Sequence, residues 1–269
     1  MDPAAMFVMR RVLLAGAALL LALAWLPASA ADRLAAARAR GTLQVALMGT
    51  YPPFSFPDPN TGQIIGFDAD VARLLGAHIG LKVALVPTIW SDILARLVAG
   101  KYDLVVSQVS ITARRAAVVD FSEPYSYSRT QLILRNNDEA TYGSLADLKG
   151  KIVGVAKDTI FETQVRAVPG VMVRSYPGTA ENLQDLVFGR IDAALDDSLM
   201  VTYLLAQSRL PVKAGPLVGI GERIGVAIQK GNPDLKAAVD LALRQAQADG
   251  SLAKLSRKWF KLDASRPPP

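Results

Sequence analysis

Two arginines follow a threonine and an alanine at Thr112-Ala113-Arg114-Arg115. Thr112 comes just after the polar turn Ser107-Gln108-Val109-Ser110 and has the character of an N-cap, which puts both guanidinium groups in the first turn of a helix. Cations there oppose the helix dipole by about 0.3–1 kcal/mol each. A capping box would place a glutamate where Arg115 stands. Such an unfavourable placement points to function. Side chains lean toward the helix start, so Arg115 reaches past the free amides and is suited to grip an anion through two parallel hydrogen bonds, while Arg114 is read as solvated.

A second anion contact is offered by Asp158-Thr159-Ile160-Phe161-Glu162, where Thr159 and Glu162 have capping-box spacing and the helix start points its amides at a strand end. Carboxylates come next. The run Asp192-Ala193-Ala194-Leu195-Asp196-Asp197 reads as a buried strand ending in two acids on opposite faces, one of which is expected to face a ligand. Tyr51-Pro52-Pro53-Phe54-Ser55-Phe56 is a proline-stiffened loop that holds Tyr51 at little entropic cost to a ligand. Trp90 lies at the carboxyl end of a strand, the edge where ligands bind in open parallel sheets. Together these residues describe a receptor for a zwitterion.

The elements that must position them alternate β-branched runs with amphipathic stretches, the pattern of an α/β protein with largely parallel strands. Strands are expected at 43–47, 83–86, 104–106, 132–134, 152–155, 193–195 and 224–228. Helices are expected over 68–79, 91–99, 179–188 and 232–248, the second and third with a capping residue in front and a glycine behind, and the last with Asn232 as cap and Pro233 at its first position. His78, the one histidine, sits on or beside an apolar helix stripe and is read as a packing residue. The end of the chain, 263–269, closes in three prolines and is expected to be disordered.

Composition narrows the chemistry. The chain has 269 residues, 51% of them hydrophobic and 20% charged, with no cysteine. Disulfides, thiolate nucleophiles, cysteine-rich zinc sites and a cysteine-linked lipid anchor are therefore excluded, and a single histidine leaves no His-based metal cluster or Ser/His/Asp triad without a second chain. The net charge of +6 is not clustered, so it is read as solubility and no nucleic acid is expected as partner. Residues 1–30 combine Arg10-Arg11, an apolar run from Val12 to Leu26 and Ala28-Ser29-Ala30, the layout of a cleavable signal peptide cut after Ala30. Met6 and Met9 are alternative starts. The chain is expected to be exported and then soluble in the periplasm.

Seven segments in order resemble the family 3 solute-binding proteins, the periplasmic receptors of polar amino-acid ABC importers. They are Tyr51-Pro-Pro-Phe-Ser-Phe56, Gly66-Phe-Asp-Ala-Asp-Val71, Gly100-Lys-Tyr-Asp103, Ser110-Ile-Thr-Ala-Arg-Arg115, Val119-Asp-Phe-Ser122 with Pro124-Tyr125, Leu148-Lys-Gly-Lys151 and Gly189-Arg-Ile-Asp-Ala193. The resemblance implies a type II periplasmic-binding fold of two α/β lobes joined by two crossover segments, with 31–127 plus 224–269 in the first lobe and 128–223 in the second. It implies Tyr51 and Trp90 as aromatic walls, Ser110 and Arg115 as a carboxylate clamp, and Thr159 with the Ile160 amide as the second-lobe carboxylate contact. Asp197 becomes the ammonium partner, and Gln108 offers its backbone carbonyl to the same group. A monomer without cofactor or metal is expected, which closes on its ligand and hands it to a membrane permease.

Three departures qualify that picture. The family usually has glycine where Asp158 stands, and often a hydroxyl residue or glycine at Ile160. Basic-ligand receptors resembling this chain often carry aspartate where Met48 stands, so a lysine, arginine or histidine receptor of that pattern is not supported; Asp196 is left open as another source of charge. The competing reading is cyclohexadienyl dehydratase, an enzyme on the same scaffold that resembles these receptors throughout. Its general acid is a glutamate two residues after the Thr159 position, which here is Phe161.

Overall fold

In the computed structural model, which describes residues 32–267, the β-branched runs assemble into one eight-stranded sheet. Helix α1 (Arg33–Arg40) leads into β1 (Thr42–Leu47), followed by the small hairpin of β2 (Phe56–Pro57) and β3 (Ile64–Ile65). Then come α2 (Phe67–Ile79), β4 (Lys82–Pro87), α3 (Ile93–Val98), β5 (Leu104–Val105), α4 (Ala113–Ala116) and the long β6 (Val119–Arg135). The next stretch holds β7 (Ile152–Ala156), α5 (Ile160–Arg166), β8 (Met172–Tyr176), α6 (Thr179–Val187), β9 (Ala193–Asp197) and α7 (Ser198–Gln207). Strand β10 (Val212–Gln229) returns along β6, and α8 (Pro233–Ala248) and α9 (Ser251–Phe260) complete the chain.

The strand order is β4-β1-β5-β10-β6-β9-β7-β8. Within each end of the sheet the strands are parallel, as helical crossovers require: β1 with β4 and β5, β7 with β8 and β9. The centre is antiparallel, because β10 pairs with β5 and β6, and β6 pairs with β9. The sheet is therefore mixed rather than largely parallel. The expected strands at 132–134 and 224–228 are pieces of β6 and β10, two crossovers that join the α/β halves. One buried cluster runs through both halves, from Leu43, Val71, Leu75, Val226 and Leu235 to Leu183, Leu186 and Leu199, and Leu132, Val153, Phe161, Val165 and Leu195 form a second.

Several boundaries move for local reasons. The helix expected over 91–99 starts as a 3-10 turn at Trp90–Asp92 before α3, and Ser91 caps nothing. Thr179 is the first residue of α6 behind Gly178, and its hydroxyl is used elsewhere. The Asn232 side chain donates to the carbonyls of Gln229 and Lys230 instead of capping α8. The tail is ordered where disorder was expected: Ala264 and Ser265 are buried, the Ala264 carbonyl accepts from Tyr127 N at 2.7 Å, and Ser256 Oγ accepts from Ala264 N. His78 is half-buried, with Nε2 3.9 Å from Asp249. The expected signal peptide and the last two prolines lie outside the described residues. Among those residues no helix is long and apolar enough to cross a membrane.

Candidate functional site

The loop after β1 is closed by its own backbone: Tyr51 N donates to Ser55 O at 2.8 Å, and Ser55 N donates back to Tyr51 O at 2.9 Å. Ser55 Oγ accepts from Gly49 N, and the Tyr51 ring packs 4.9 Å from Phe54. Gly66 lies against this loop at φ 129°, and a Cβ there would fall 2.3 Å from the Phe54 carbonyl oxygen. The start of α2 can approach this closely only because residue 66 is glycine. Tyr51 is thus fixed, and its hydroxyl donates to Asp196 Oδ1 at 2.5 Å. Burial, reinforced by the Asp196 charge, pushes the Tyr51 pKa well up and keeps the phenol protonated.

The loop between β5 and α4 is held from below. Gln108 adopts φ 48°, its amide donates to the Tyr125 hydroxyl at 3.2 Å, and its Nε2 donates to Asp68 Oδ1 at 2.9 Å. Tyr125 also donates to Asp68 Oδ1. Asp68 is fully buried, and desolvation raises its pKa to about 7. This triad sets the loop geometry, with Gln108 on the cavity and Asp68 and Tyr125 outside its lining.

Thr112 caps α4 as expected, its hydroxyl accepting from Arg115 N at 3.2 Å. The Arg115 guanidinium donates to the Ser110 carbonyl at 3.1 Å and the Asp158 carbonyl at 3.5 Å, and lies 5.2 Å from the Trp90 ring centroid. Burial lowers its pKa to about 10, which leaves it charged at neutral pH. Arg114 is exposed.

Asp158 takes φ 61°, the left-handed conformation that favours glycine and that aspartate tolerates. Its amide donates to Glu162 Oε2 at 2.7 Å, so the glutamate side chain closes the turn one residue before the cap. The Thr159 hydroxyl is occupied by the fold, accepting from Glu162 N and donating to Ala156 O at 2.6 Å. Ile160, first in α5, has an amide with no intrahelical acceptor.

Both acids at the end of β9 line the same cavity, where one was expected, because Asp197 is also the N-cap of α7, its side chain accepting from Leu199 N at 2.8 Å. Asp196 accepts from Tyr51, from Thr179 Oγ1 at 2.7 Å and from Asp197 N at 2.8 Å. Burial raises the pKa of both.

The fold brings all eight residues singled out from sequence, Tyr51, Trp90, Gln108, Ser110, Arg115, Thr159, Ile160 and Asp197, onto one cavity of about 570 Å³ of empty space, open to solvent at its mouth. Sequence reasoning missed Glu222, which also lines it. Glu222 is buried, Oε2 accepting from Ser110 Oγ at 2.9 Å and Oε1 from Thr130 Oγ1 at 3.1 Å. Burial, with Asp197 nearby, raises its pKa. Its only sequence signal is an acid inside the glycine-broken run Gly219-Ile220-Gly221-Glu222-Arg223, beside no recognised motif. Met48 and Phe161 complete the apolar wall. Among the described residues no group of three or more His, Cys, Asp or Glu side chains is arranged to hold a metal ion.

Comparison with known proteins gives three kinds of likeness. Residues 43–262 match the model of the bacterial extracellular solute-binding proteins, family 3. The L-cystine-binding protein TcyJ of Escherichia coli strain K12 is 41% identical over 228 residues, covering 84% of this chain and 85% of that protein, and the L-cystine-binding protein TcyA of Bacillus subtilis strain 168 is 31% identical over 236 residues, covering 87% of each. Among solved structures, the ancestral amino acid-binding protein AncCDT-1, a precursor of cyclohexadienyl dehydratase, superposes with a TM-score of 0.79 at 36% identity, covering 86% of this chain and all of that one.

Proposed function

The chain belongs to the family 3 bacterial extracellular solute-binding proteins and has their type II fold, and from that premise we propose that it is a periplasmic receptor that captures L-cystine or a closely related amino acid and delivers it to an ABC importer. The observation that carries this reading is the polarity of the cavity: Arg115 and the start of α5 on one side, the acids at the end of β9 on the other, and Tyr51, Trp90, Met48 and Phe161 between them. The ligand carboxylate is taken by Arg115, the backbone amide of Ser110, whose hydroxyl is held by Glu222, and the Ile160 amide beside Thr159, and the ammonium by Asp197 and the Gln108 carbonyl. Cystine is favoured by the two relatives named for it.

The protein acts as a monomer, exported by the segment 1–30. Its lobes are 31–127 with 224–269, and 128–223. These boundaries coincide with the pair Tyr127 and Arg223, which face each other across β6 and β10, with breaks in register close by on both sides. Such breaks suit a hinge, and closure about it follows a motion for which the periplasmic binding proteins are the type example.

A thermal-shift screen of amino acids, sugars and related zwitterions tests the reading. At about 100 times its dissociation constant a ligand adds roughly 2.7 kcal/mol, which for a domain pair of this size raises Tm by about 5–10 °C. L-Cystine is expected to give such a shift. A flat response to every zwitterion, with a shift from a sugar, overturns it. The dehydratase alternative has its own test in the same sample. Phe161 lines the cavity where those enzymes carry their acid, so prephenate is expected to remain unconverted, and catalytic formation of phenylpyruvate would make the protein an enzyme.

A further inference from the structure

Three carboxylates, Asp196, Asp197 and Glu222, line the cavity against one cation, Arg115. Asp196 is already engaged by the Tyr51 and Thr179 hydroxyls and the Asp197 amide. Asp197 is assigned above to the ligand's α-ammonium. Glu222 has no role in that scheme. Oε2 accepts the Ser110 hydroxyl, and Oε1 lies 3.1 Å from Thr130 Oγ1, whose single proton it shares with Gln164 Oε1 at 2.9 Å; these contacts aim the group without neutralising it and leave acceptor capacity on both oxygens. Among the described residues no Lys, Arg or His forms an ion pair with it.

Glu222 also stands where the inner cavity opens into a larger cleft that Trp90, Ser110, Arg115 and Arg223 line as well. A ligand gripped at its first end by Arg115 and Asp197, and long enough to leave the inner cavity, passes this carboxylate. Resting on the amino-acid reading above, we propose that Glu222 accepts the ammonium group of a second amino-acid end, so that the site selects ligands with two such ends over those with one. A buried carboxylate without a counter-ion is costly, and a second ammonium group supplies the missing partner. Arg223, which lines the outer cleft together with Arg114 and Arg166, is a cation available to the second carboxylate.

The charged and titratable groups facing Glu222 are Asp197 from β9, Arg115 from α4 and Tyr51 from the loop after β1. Burial and Asp197 favour its protonated form, and Arg115 opposes them less strongly. An arriving ammonium therefore displaces a proton.

The test is calorimetric titration of the wild type and Glu222→Gln with L-cystine and with S-methyl-L-cysteine, which keeps one amino-acid end. The wild type is expected to bind cystine at least about tenfold more tightly, a gap of about 1.4 kcal/mol. Glu222→Gln is expected to remove most of that preference while leaving S-methyl-L-cysteine within about threefold. If the variant binds cystine as the wild type does, Glu222 is not the second contact, although the amino-acid receptor stands. If the wild type binds neither ligand nor any other amino acid, the receptor reading itself fails. Should Glu222→Gln not fold, proton release by the wild type decides, read in two buffers of different ionisation enthalpy at pH 7. Excess release with cystine over S-methyl-L-cysteine supports the assignment, and equal release overturns it.

Discussion

Arg115 is oriented without being neutralised. Its hydrogen bonds go to two backbone carbonyls and its flat face lies near Trp90, so the guanidinium keeps its charge for a ligand. Truncating a desolvated charge partner costs a complex about 2 kcal/mol or more. Arg115→Ala is accordingly expected to weaken ligand binding by about thirtyfold or more in a calorimetric titration, with a small change in Tm, whereas Arg114→Ala, on the exposed neighbour, should change affinity little. Equal losses would mean that the clamp belongs to neither residue. Arg115 was legible in sequence because it breaks a local rule, standing where a helix start prefers an acid. Glu222 was not, because the hydroxyls that aim it come from residues 112 and 92 positions away. The Tyr51 hydroxyl was missed for the same reason: the sequence showed a stiff aromatic wall, and its partner Asp196 lies 145 positions along the chain.

At the scale of elements, the turn into α5 shows how a non-glycine residue is held in a left-handed conformation. Asp158 holds φ 61°, and the bond from its amide to Glu162 needs only the backbone. Asp158→Gly should therefore stay within about 1 kcal/mol of the wild type, while Asp158→Val, a β-branched residue forced into the left-handed region, should cost about 1–2 kcal/mol. Denaturant midpoints measure both, and a neutral valine would show that the turn does not need this conformation. Short parallel strands such as β1 and β7 were legible because they are continuous apolar runs. The crossovers were not. In β6 the stretch from Ser122 to Thr130 interleaves serines, Glu123 and Pro124 with tyrosines, which reads as a turn, and only pairing with β10 over most of its length makes it a strand. The tail was misread because its prolines outweighed Ala264 and Ser265, whose burial depends on contacts with α9 and Tyr127.

For the whole molecule, the reading of ligand-driven closure turns on which aromatic groups change surroundings when the lobes meet. Beyond residues 1–30 the chain has two tryptophans, Trp90 and Trp259. Trp90 lines both the inner cavity and the outer cleft, beside Arg115. Trp259 lies on α9, donates its indole N–H to Asp70 at 2.9 Å and meets the Phe56 ring edge-on at 5.9 Å. Phe56 in turn lies 6.3 Å from Tyr203 of α7. Closure around a ligand exchanges water for protein and ligand atoms at Trp90, so its emission should change in intensity or wavelength on binding, while Trp259, fixed by Asp70 and Phe56, should stay constant. Trp90→Phe keeps an aromatic wall and is expected to bind with a modest loss while most of the fluorescence change disappears. Trp259→Phe is expected to keep both the affinity and the change. If the change instead follows Trp259, the motion is being sensed through Phe56 and Tyr203, away from the cavity, and the wall assigned to Trp90 would have to be abandoned.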